Sequence, residues 1–364
     1  MSIKRVIISG GGTGGHIYPA ISIANAMKEI DPSLEFLFIG AEGKMEMEKV
    51  PKAGFKIIGL PIVGIQRTQV WKNVFFPFKL AKSLFLSAKI LKDFKPDVAV
   101  GVGGYASGPL LLAARFLGIP YFIQEQNSFA GITNKALASK AEHIFVAYPG
   151  MERFFPAQKI TLSGNPVRKD LLESVGKREK AAAHFNLDPT VKTILIIGGS
   201  QGARTINQGI LAGLDRLNEA GVQVIWQTGI AFESTAKKAA EGISSAYVSA
   251  FIYEMDLAYA MADLVISRAG ASSVSEICLL GKASILVPLP SAAEDHQTEN
   301  AKSLVSQNAA ILVRDAEVKE QLISEALKAI QTDVSTLEKN SLRLAKPNAA
   351  HEIAQSILHA WKKS

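Results

Sequence analysis

The sequence predicts an α/β protein built from two parallel-sheet domains, and three observations carry that expectation. The first is a repeat. Near the start, Val6-Ile7-Ile8-Ser9 runs into Gly10-Gly11-Gly12-Thr13-Gly14-Gly15-His16; much later, Ile194-Leu195-Ile196-Ile197 runs into Gly198-Gly199-Ser200-Gln201-Gly202-Ala203-Arg204. Gly10, Gly11 and Gly14 match Gly198, Gly199 and Gly202 at a constant offset of 188, close to half of the 364 residues. The second is a series of further apolar runs separated by helical segments: Glu35–Ile39, Val98–Val102, Tyr121–Gln124, His143–Val146, Val222–Gln227, Leu264–Ser267 and Ser284–Val287. Continuous apolar strands are those covered on both faces, as in parallel sheets. The third is composition. With 48% hydrophobic and 20% charged residues, the chain is ordinary globular protein with room for two cores. Together these give two Rossmann-like domains, at 1–165 and 166–345.

At the N-terminus, Lys4 and Arg5 precede only Val6-Ile7-Ile8 before the glycines, too short an apolar core for an export signal. The uncharged stretch from Val98 to Ala114 is broken by Gly101, Gly103, Gly104, Gly108 and Pro109, so it reads as strand, loop and helix start rather than a membrane span. A soluble cytoplasmic protein is expected. The single cysteine, Cys278, excludes a disulfide framework and a multi-cysteine metal site.

The first glycine loop puts Gly10, Gly12 and Gly15 in G-x-G-x-x-G positions, where backbone N–H groups and a helix N-terminus approach phosphate. Dinucleotide binding usually adds an acid at the end of the second strand. Here Glu35 begins that strand and Glu42 lies beyond Gly40, which argues against NAD. His16 follows the loop at a helix opening, where an imidazole can accept a proton near neutral pH; the structural alternative is a packing histidine.

Seven basic residues (Arg67, Lys72, Lys79, Lys82, Lys89, Lys92 and Lys95) face the single acid Asp93 between positions 67 and 95, so nearly all of the net +7 is local. On a helical wheel over Phe78–Phe94 the lysines cover one side with Phe78, Phe85 and Leu86 among them, while Leu80, Leu84 and Leu91 point the other way. Apolar side chains among lysines suit an anionic bilayer surface; a solvated basic face is the alternative. No aromatic stacking platform or nucleic-acid motif is present, so nucleic acid is not an expected partner.

Gly101-Val102-Gly103-Gly104-Tyr105-Ala106-Ser107-Gly108-Pro109 is another glycine loop after a strand. Glu125-Gln126-Asn127 ends the next strand, where polar side chains face the ligand crevice of a parallel sheet; Asn127 as a turn or cap residue is the alternative. Ser163-Gly164-Asn165-Pro166 reads as the hinge between domains. Arg268-Ala269-Gly270-Ala271-Ser272-Ser273-Val274-Ser275-Glu276 follows a strand and resembles a helix start that receives phosphate. Glu276, one turn in, suits two vicinal ribose hydroxyls; capping by Ser272 or Ser273 is the alternative. Glu294-Asp295-His296-Gln297 is a further polar loop. A last helix near Ala349–Lys362 aligns Ile353, Ile357 and Trp361 and is expected to pack back on the first domain. No D-x-D motif or paired-histidine spacing is present, so neither a metal nor any other cofactor is expected.

Taken together, Gly11-Gly12-Thr13-Gly14-Gly15-His16, Gly103-Gly104-Tyr105, Glu125-Gln126-Asn127, Gly198-Gly199-Ser200-Gln201-Gly202-Ala203 and Ser272-Ser273-Val274-Ser275-Glu276 resemble the MurG family over essentially the whole chain. The resemblance implies a GT-B fold, two Rossmann-like domains facing a cleft. It also implies transfer of N-acetylglucosamine, with inversion, from UDP-N-acetylglucosamine to the 4-hydroxyl of the muramoyl sugar of lipid I, undecaprenyl-diphospho-N-acetylmuramoyl-pentapeptide. That reaction yields lipid II for peptidoglycan. The enzyme is then peripheral, on the cytoplasmic face of the bacterial membrane, with 1–165 addressing acceptor and membrane, 166–345 binding the donor, and 346–364 returning to the first domain. Matched by motif, the donor contacts are Thr13, Gly14, Gly15, Asn127, Arg168, Ser200, Ile252 (through its backbone, on uracil), Glu276 and Gln297. His16 is the implied general base and Glu125 the runner-up. Gln124 stands where histidine can precede Glu-Gln-Asn, and His296 where glutamine can precede Gln297. Two rivals remain at this point, a UDP-N-acetylglucosamine 2-epimerase and a non-catalytic nucleotide-binding scaffold at the membrane.

Overall fold

The central strands of both sheets are buried on both faces, the pattern of parallel, helix-covered sheets. In the computed structural model, which describes residues 3–62, 76–167, 169–199, 201–292 and 295–360, the first sheet has seven strands: β1 (Arg5–Ser9), β2 (Glu35–Ala41), β3 (Lys56–Leu60), β4 (Val98–Gly101), β5 (Tyr121–Glu125), β6 (His143–Val146) and β7 (Ile160–Leu162). Their order is β3-β2-β1-β4-β5-β6-β7, and every pairing is parallel. Ile7, Leu37, Ile39, Ala99, Ile123 and Ile144 fill one core. Their neighbours Val6, Ile8, Phe38, Val98, Val100, Phe122 and Phe145 fill the other. Full burial of such a side chain contributes roughly 1.5–3 kcal/mol.

The second sheet comprises β8 (Thr193–Ile197), β9 (Gln223–Gln227), β10 (Ala246–Ser249), β11 (Leu264–Ser267), β12 (Ser284–Leu286) and β13 (Ile311–Leu312), again all parallel, in the order β10-β9-β8-β11-β12-β13. Its helix Arg204–Glu219 packs closely on the helix Val318–Gln331 because glycines face it. A Cβ on Gly209 would lie 2.6 Å from Val318 Cγ1, and one on Gly213 would lie 2.3 Å from Ile323 Cγ1.

The chain divides into two compact units. One is built by the chain up to Val167 and again from Lys346; the other is the stretch between. The closing helix, Ala349–Ala360, belongs to the first unit. Ile353, Ala354 and Ile357 join the core shared with Ile17, Ile23 and Met27 of the helix Gly14–Ile30. Trp361 lies outside the described residues. Asn165 is buried; it accepts from Gln124 Nε2 at 3.1 Å and donates to the Gln126 carbonyl at 3.0 Å, so the expected hinge segment is tied to the end of β5.

The helix Phe76–Phe94 buries Ser83, Ser87 and Leu91, an i, i+4, i+8 stripe. Phe78 and Phe85 are 73% and 72% exposed, and Lys79, Lys82, Lys89 and Lys92 are exposed with them. Leu86 departs from the expected exposed face. It packs against the core with Leu80 and Ile90, because it neighbours the buried stripe. Arg67, Lys72 and Phe75 of the basic segment lie outside the described residues. Among the described residues, no helix is long and apolar enough to cross a membrane.

Cys278 is buried in the helix Ala271–Leu279, and burial pushes its thiol up to about 11. Because only the thiolate reacts, its alkylation by iodoacetamide at pH 8 is expected to run about 10²–10³-fold slower in the native protein than in urea. Comparable rates would show that the site is open to solvent.

Candidate functional site

Each sheet reverses its strand order once, between β1 and β4 in the first unit and between β8 and β11 in the second. Loops leaving the carboxyl ends of parallel strands diverge at such a point and leave a crevice for a ligand. The motif loops fall there. Gly10–Thr13 follows β1 and Val102–Ala106 follows β4; Gly198–Ala203 follows β8 and Arg268–Gly270 follows β11.

In the first unit the two glycine loops interlock. Val102 N–H donates to the Ser9 carbonyl at 2.7 Å, and the Ser107 hydroxyl bridges the Ser9 and Gly103 carbonyls at 2.9 and 2.8 Å. Gly104 sits at φ +89°, and a Cβ on it would lie 2.2 Å from the Gly11 carbonyl oxygen, so only glycine fits. Glu46, which sequence reasoning missed, holds this assembly from beneath. It is fully buried and accepts from Gly12 N–H at 2.9 Å and Ala41 N–H at 3.0 Å. The Gly12 N–H is therefore committed to a carboxylate. Glu46 begins the short helix Glu46–Lys52. The signal the sequence offers is an acid shortly past the end of β2.

His16 is half-buried near the start of the helix Gly14–Ile30. Its Nδ1 lies 2.7 Å from Gln126 Oε1. The ring rests against Gly103, where a Cβ would come within 2.7 Å of Nδ1. Thr13 precedes the helix in extended geometry and is exposed, while Gly14 and Gly15 form its half-buried first turn. Glu125 is differently placed. It is buried, with Oε1 accepting from the Asn127 N–H and Nδ2 at 3.1 and 3.3 Å, and Oε2 from the Gly131 N–H and Asn134 Nδ2 at 3.0 and 2.8 Å. Those four bonds make Glu125 a clamp on its own loop.

In the second unit, Gly202 and Gly229, both with φ +75°, let the loops after β8 and β9 touch. A Cβ on either would lie about 2 Å from a backbone oxygen of the other loop. Gln227 ties this end together, donating from Nε2 to the Gly199 carbonyl at 2.9 Å and accepting the Ile252 N–H at 3.2 Å. Sequence reasoning treated Gln227 as the end of a strand only. Ile252 is buried, with its N–H thus occupied. Ser200 and Arg168 lie outside the described residues.

After β11, Arg268 is buried and bridges the Val287 and Pro288 carbonyls (3.1 and 3.2 Å) and Asp315 (2.5 Å), fixing the loop beyond β12. The helix Ala271–Leu279 starts at Gly270 with no side-chain cap, so Ser272 and Ser273 do not cap it. A helix N-terminus attracts anions through its first amides. Glu276 is half-buried and accepts from the Tyr259 hydroxyl at 3.1 Å. Gln297, in the helix His296–Val305, accepts the Leu289 N–H at 2.9 Å, which orients its side chain toward the loop after β12. Glu294 lies outside the described residues. Among the described residues no group of three His, Cys, Asp or Glu side chains is placed to hold a metal.

Replacing Glu46 with alanine leaves the buried Ala41 N–H and the part-buried Gly12 N–H without their acceptor. The first unit is expected to lose about 2–4 kcal/mol in urea denaturation. A loss below about 0.5 kcal/mol would mean that the glycine loops do not depend on this carboxylate.

The comparisons agree along the whole chain. The Glycosyltransferase family 28 N-terminal domain profile matches residues 6–146 and the C-terminal domain profile residues 193–357. A Parabacteroides distasonis protein named UDP-N-acetylglucosamine–N-acetylmuramyl-(pentapeptide) pyrophosphoryl-undecaprenol N-acetylglucosamine transferase is 55% identical over 358 residues, 97% of each chain. The crystal structure of Acinetobacter baumannii MurG matches with TM-score 0.76 at 30% identity, covering 98% of this chain and 99% of that one. A UDP-N-acetylglucosamine 2-epimerase structure matches with TM-score 0.68 at 16% identity over 100% and 97% of the chains; that likeness shows the shared fold alone. The chain belongs to glycosyltransferase family 28 and, within it, to the MurG family, with the GT-B architecture of two parallel-sheet domains.

Proposed function

We propose that this MurG-family chain transfers N-acetylglucosamine from UDP-N-acetylglucosamine to the 4-hydroxyl of undecaprenyl-diphospho-N-acetylmuramoyl-pentapeptide, with inversion at the anomeric carbon. The observation that carries the reading is the 55% identity, over nearly the full length of both chains, to a relative bearing the name of that activity. In the reaction the acceptor oxygen bonds to the anomeric carbon, the bond from that carbon to the β-phosphate oxygen breaks, and UDP leaves. The acceptor proton must go to a base.

His16 is the proposed base, because its imidazole is half-buried rather than locked away and the competing carboxylate of Glu125 is consumed by its loop. In the second unit Ser200, the backbone of Ile252, Glu276 and Gln297 are the proposed donor contacts. The uncapped start of the helix Ala271–Leu279 and Arg168 would meet the charge that grows on the departing diphosphate. In the first unit Thr13, Gly14, Gly15 and Asn127 are proposed for the donor as well. Of these, Asn127 is held by Glu125 and the others sit at the helix start beside His16.

A turnover assay with UDP-N-acetylglucosamine and a lipid I analogue tests the reading. Release of UDP with one added sugar on the acceptor is expected; conversion of the donor to its 2-epimer in the absence of acceptor would replace the assignment with epimerisation. His16→Ala is expected to lower kcat by roughly 10²–10⁴-fold while donor affinity changes little. A decrease under about fivefold would remove His16 as the base.

The acceptor's carrier lies in a membrane, and the helix Phe76–Phe94 is proposed to dock there. Exposed Phe78 and Phe85 project among exposed Lys79, Lys82 and Lys89, the combination that suits an anionic cytoplasmic-face bilayer. Changing those three lysines to glutamate is expected to release the protein from phosphatidylglycerol vesicles in a sedimentation assay, with turnover of a water-soluble acceptor unchanged. A triple variant that still pellets like the parent would make this a solvated basic face.

A further inference from the structure

Three amides stand in series behind the imidazole of His16, and the direction of each is set by its neighbours. Asn165 Nδ2 donates to the Gln126 carbonyl, so Asn165 Oδ1 is the end that accepts from Gln124 Nε2 at 3.1 Å. That leaves Gln124 Oε1 to accept, and it does so from Gln126 Nε2. Gln126 Nε2 also faces the Val102 carbonyl at 2.6 Å and the Gln124 carbonyl at 3.2 Å. Turning the Gln126 amide over would put its oxygen against three acceptors inside a buried network, which is costly. All three side chains are at most 4% exposed, so they lie away from bulk water. The end that Gln126 turns toward His16 Nδ1, at 2.7 Å, is therefore oxygen.

An amide oxygen only accepts. For that contact to be a hydrogen bond, Nδ1 must carry the imidazole proton. We infer that Gln126, aligned by Gln124 and Asn165, is a positioning residue that holds neutral His16 as its Nδ1–H tautomer and so leaves the lone pair on Nε2 to receive the acceptor's proton. This deepens the proposed assignment of His16 as base and rests on it. A neutral partner suits this role, because it fixes ring and tautomer without the attraction by which a carboxylate would favour the charged imidazolium. The bare Cα of Gly103 completes the seat, because any side chain there would push the ring off its partner.

The inference is tested by ¹⁵N NMR of histidine-labelled full-length protein above pH 8, with the His16 signals assigned by their loss in His16→Asn. Wild type is expected to show an unprotonated Nε2 and a protonated Nδ1. In Gln126→Leu the proton is expected to move largely to Nε2, kcat to fall about 10- to 100-fold, and KM for the donor to stay within about twofold. Gln124→Leu, which removes the aligning acceptor but leaves Oε1 of Gln126 in place, is expected to give a mixture of tautomers and a smaller fall in kcat. Melting temperature and UDP titration report on folding, and the wild-type spectrum stands even if a variant does not fold. A wild-type His16 protonated at Nε2 overturns the inference whatever the kinetics. An Nδ1–H tautomer that survives Gln126→Leu overturns the role of Gln126. A tautomer that shifts as expected with unchanged turnover supports the positioning and instead defeats the reading of His16 as base.

Discussion

A strand buried on both faces has no polar side to offer, and the organisation of this protein follows from that constraint. The central strands of the first sheet alternate between two apolar cores and those of the second are buried along their length, so chemistry is displaced to the loops beyond their carboxyl ends. Where the strand order reverses, neighbouring loops part, and there the glycine loops, His16 and Glu276 emerge. The same solution is used twice, in two units whose first six strands are ordered alike.

Loops that carry chemistry must be held as firmly as the sheet that presents them, and here buried polar side chains do this. Glu46 grips the first glycine loop, Glu125 its own loop through residue 134, Arg268 the loop beyond β12, and Gln227 links Gly199 with Ile252. Each of these side chains takes up backbone N–H or C=O groups of the loop it holds, so each fixes geometry while stabilising the fold. Glu125 and His16 illustrate the division of labour. Both lie at carboxyl ends of the first sheet, yet Glu125 is spent on four structural bonds while His16 has a single ring nitrogen engaged, by Gln126, which is why His16 is the residue proposed as base.

The sequence reveals strands and motifs where burial is greatest. The central strands announce themselves as unbroken apolar runs. β3, β7, β10 and β13 were missed because edge strands are only partly covered, and their mixed residues carry no continuous pattern. On the helix Phe76–Phe94 the face of Leu86 was misjudged, since a wheel cannot say that Ser83 and Ser87 are the side of closest approach. Among the motif glycines, Gly104 and Gly202 combine positive φ with close backbone contact, which excludes every other residue there. Glu46 and Gln227 were not legible, because their importance lies in the direction of a hydrogen bond. Local sequence carries no trace of that.

The Tyr259 hydroxyl holds the Glu276 carboxylate at the strand-order reversal of the second unit, and we propose that this carboxylate meets the ribose of the nucleotide. Titration calorimetry of UDP against Glu276→Ala tests it most directly, with melting temperature as the control for folding. Loss of charge-assisted hydrogen bonds of about 1.5–3 kcal/mol corresponds to roughly 10- to 150-fold weaker binding. A folded Glu276→Ala protein that binds UDP as tightly as the parent would mean that Glu276 does not meet the nucleotide.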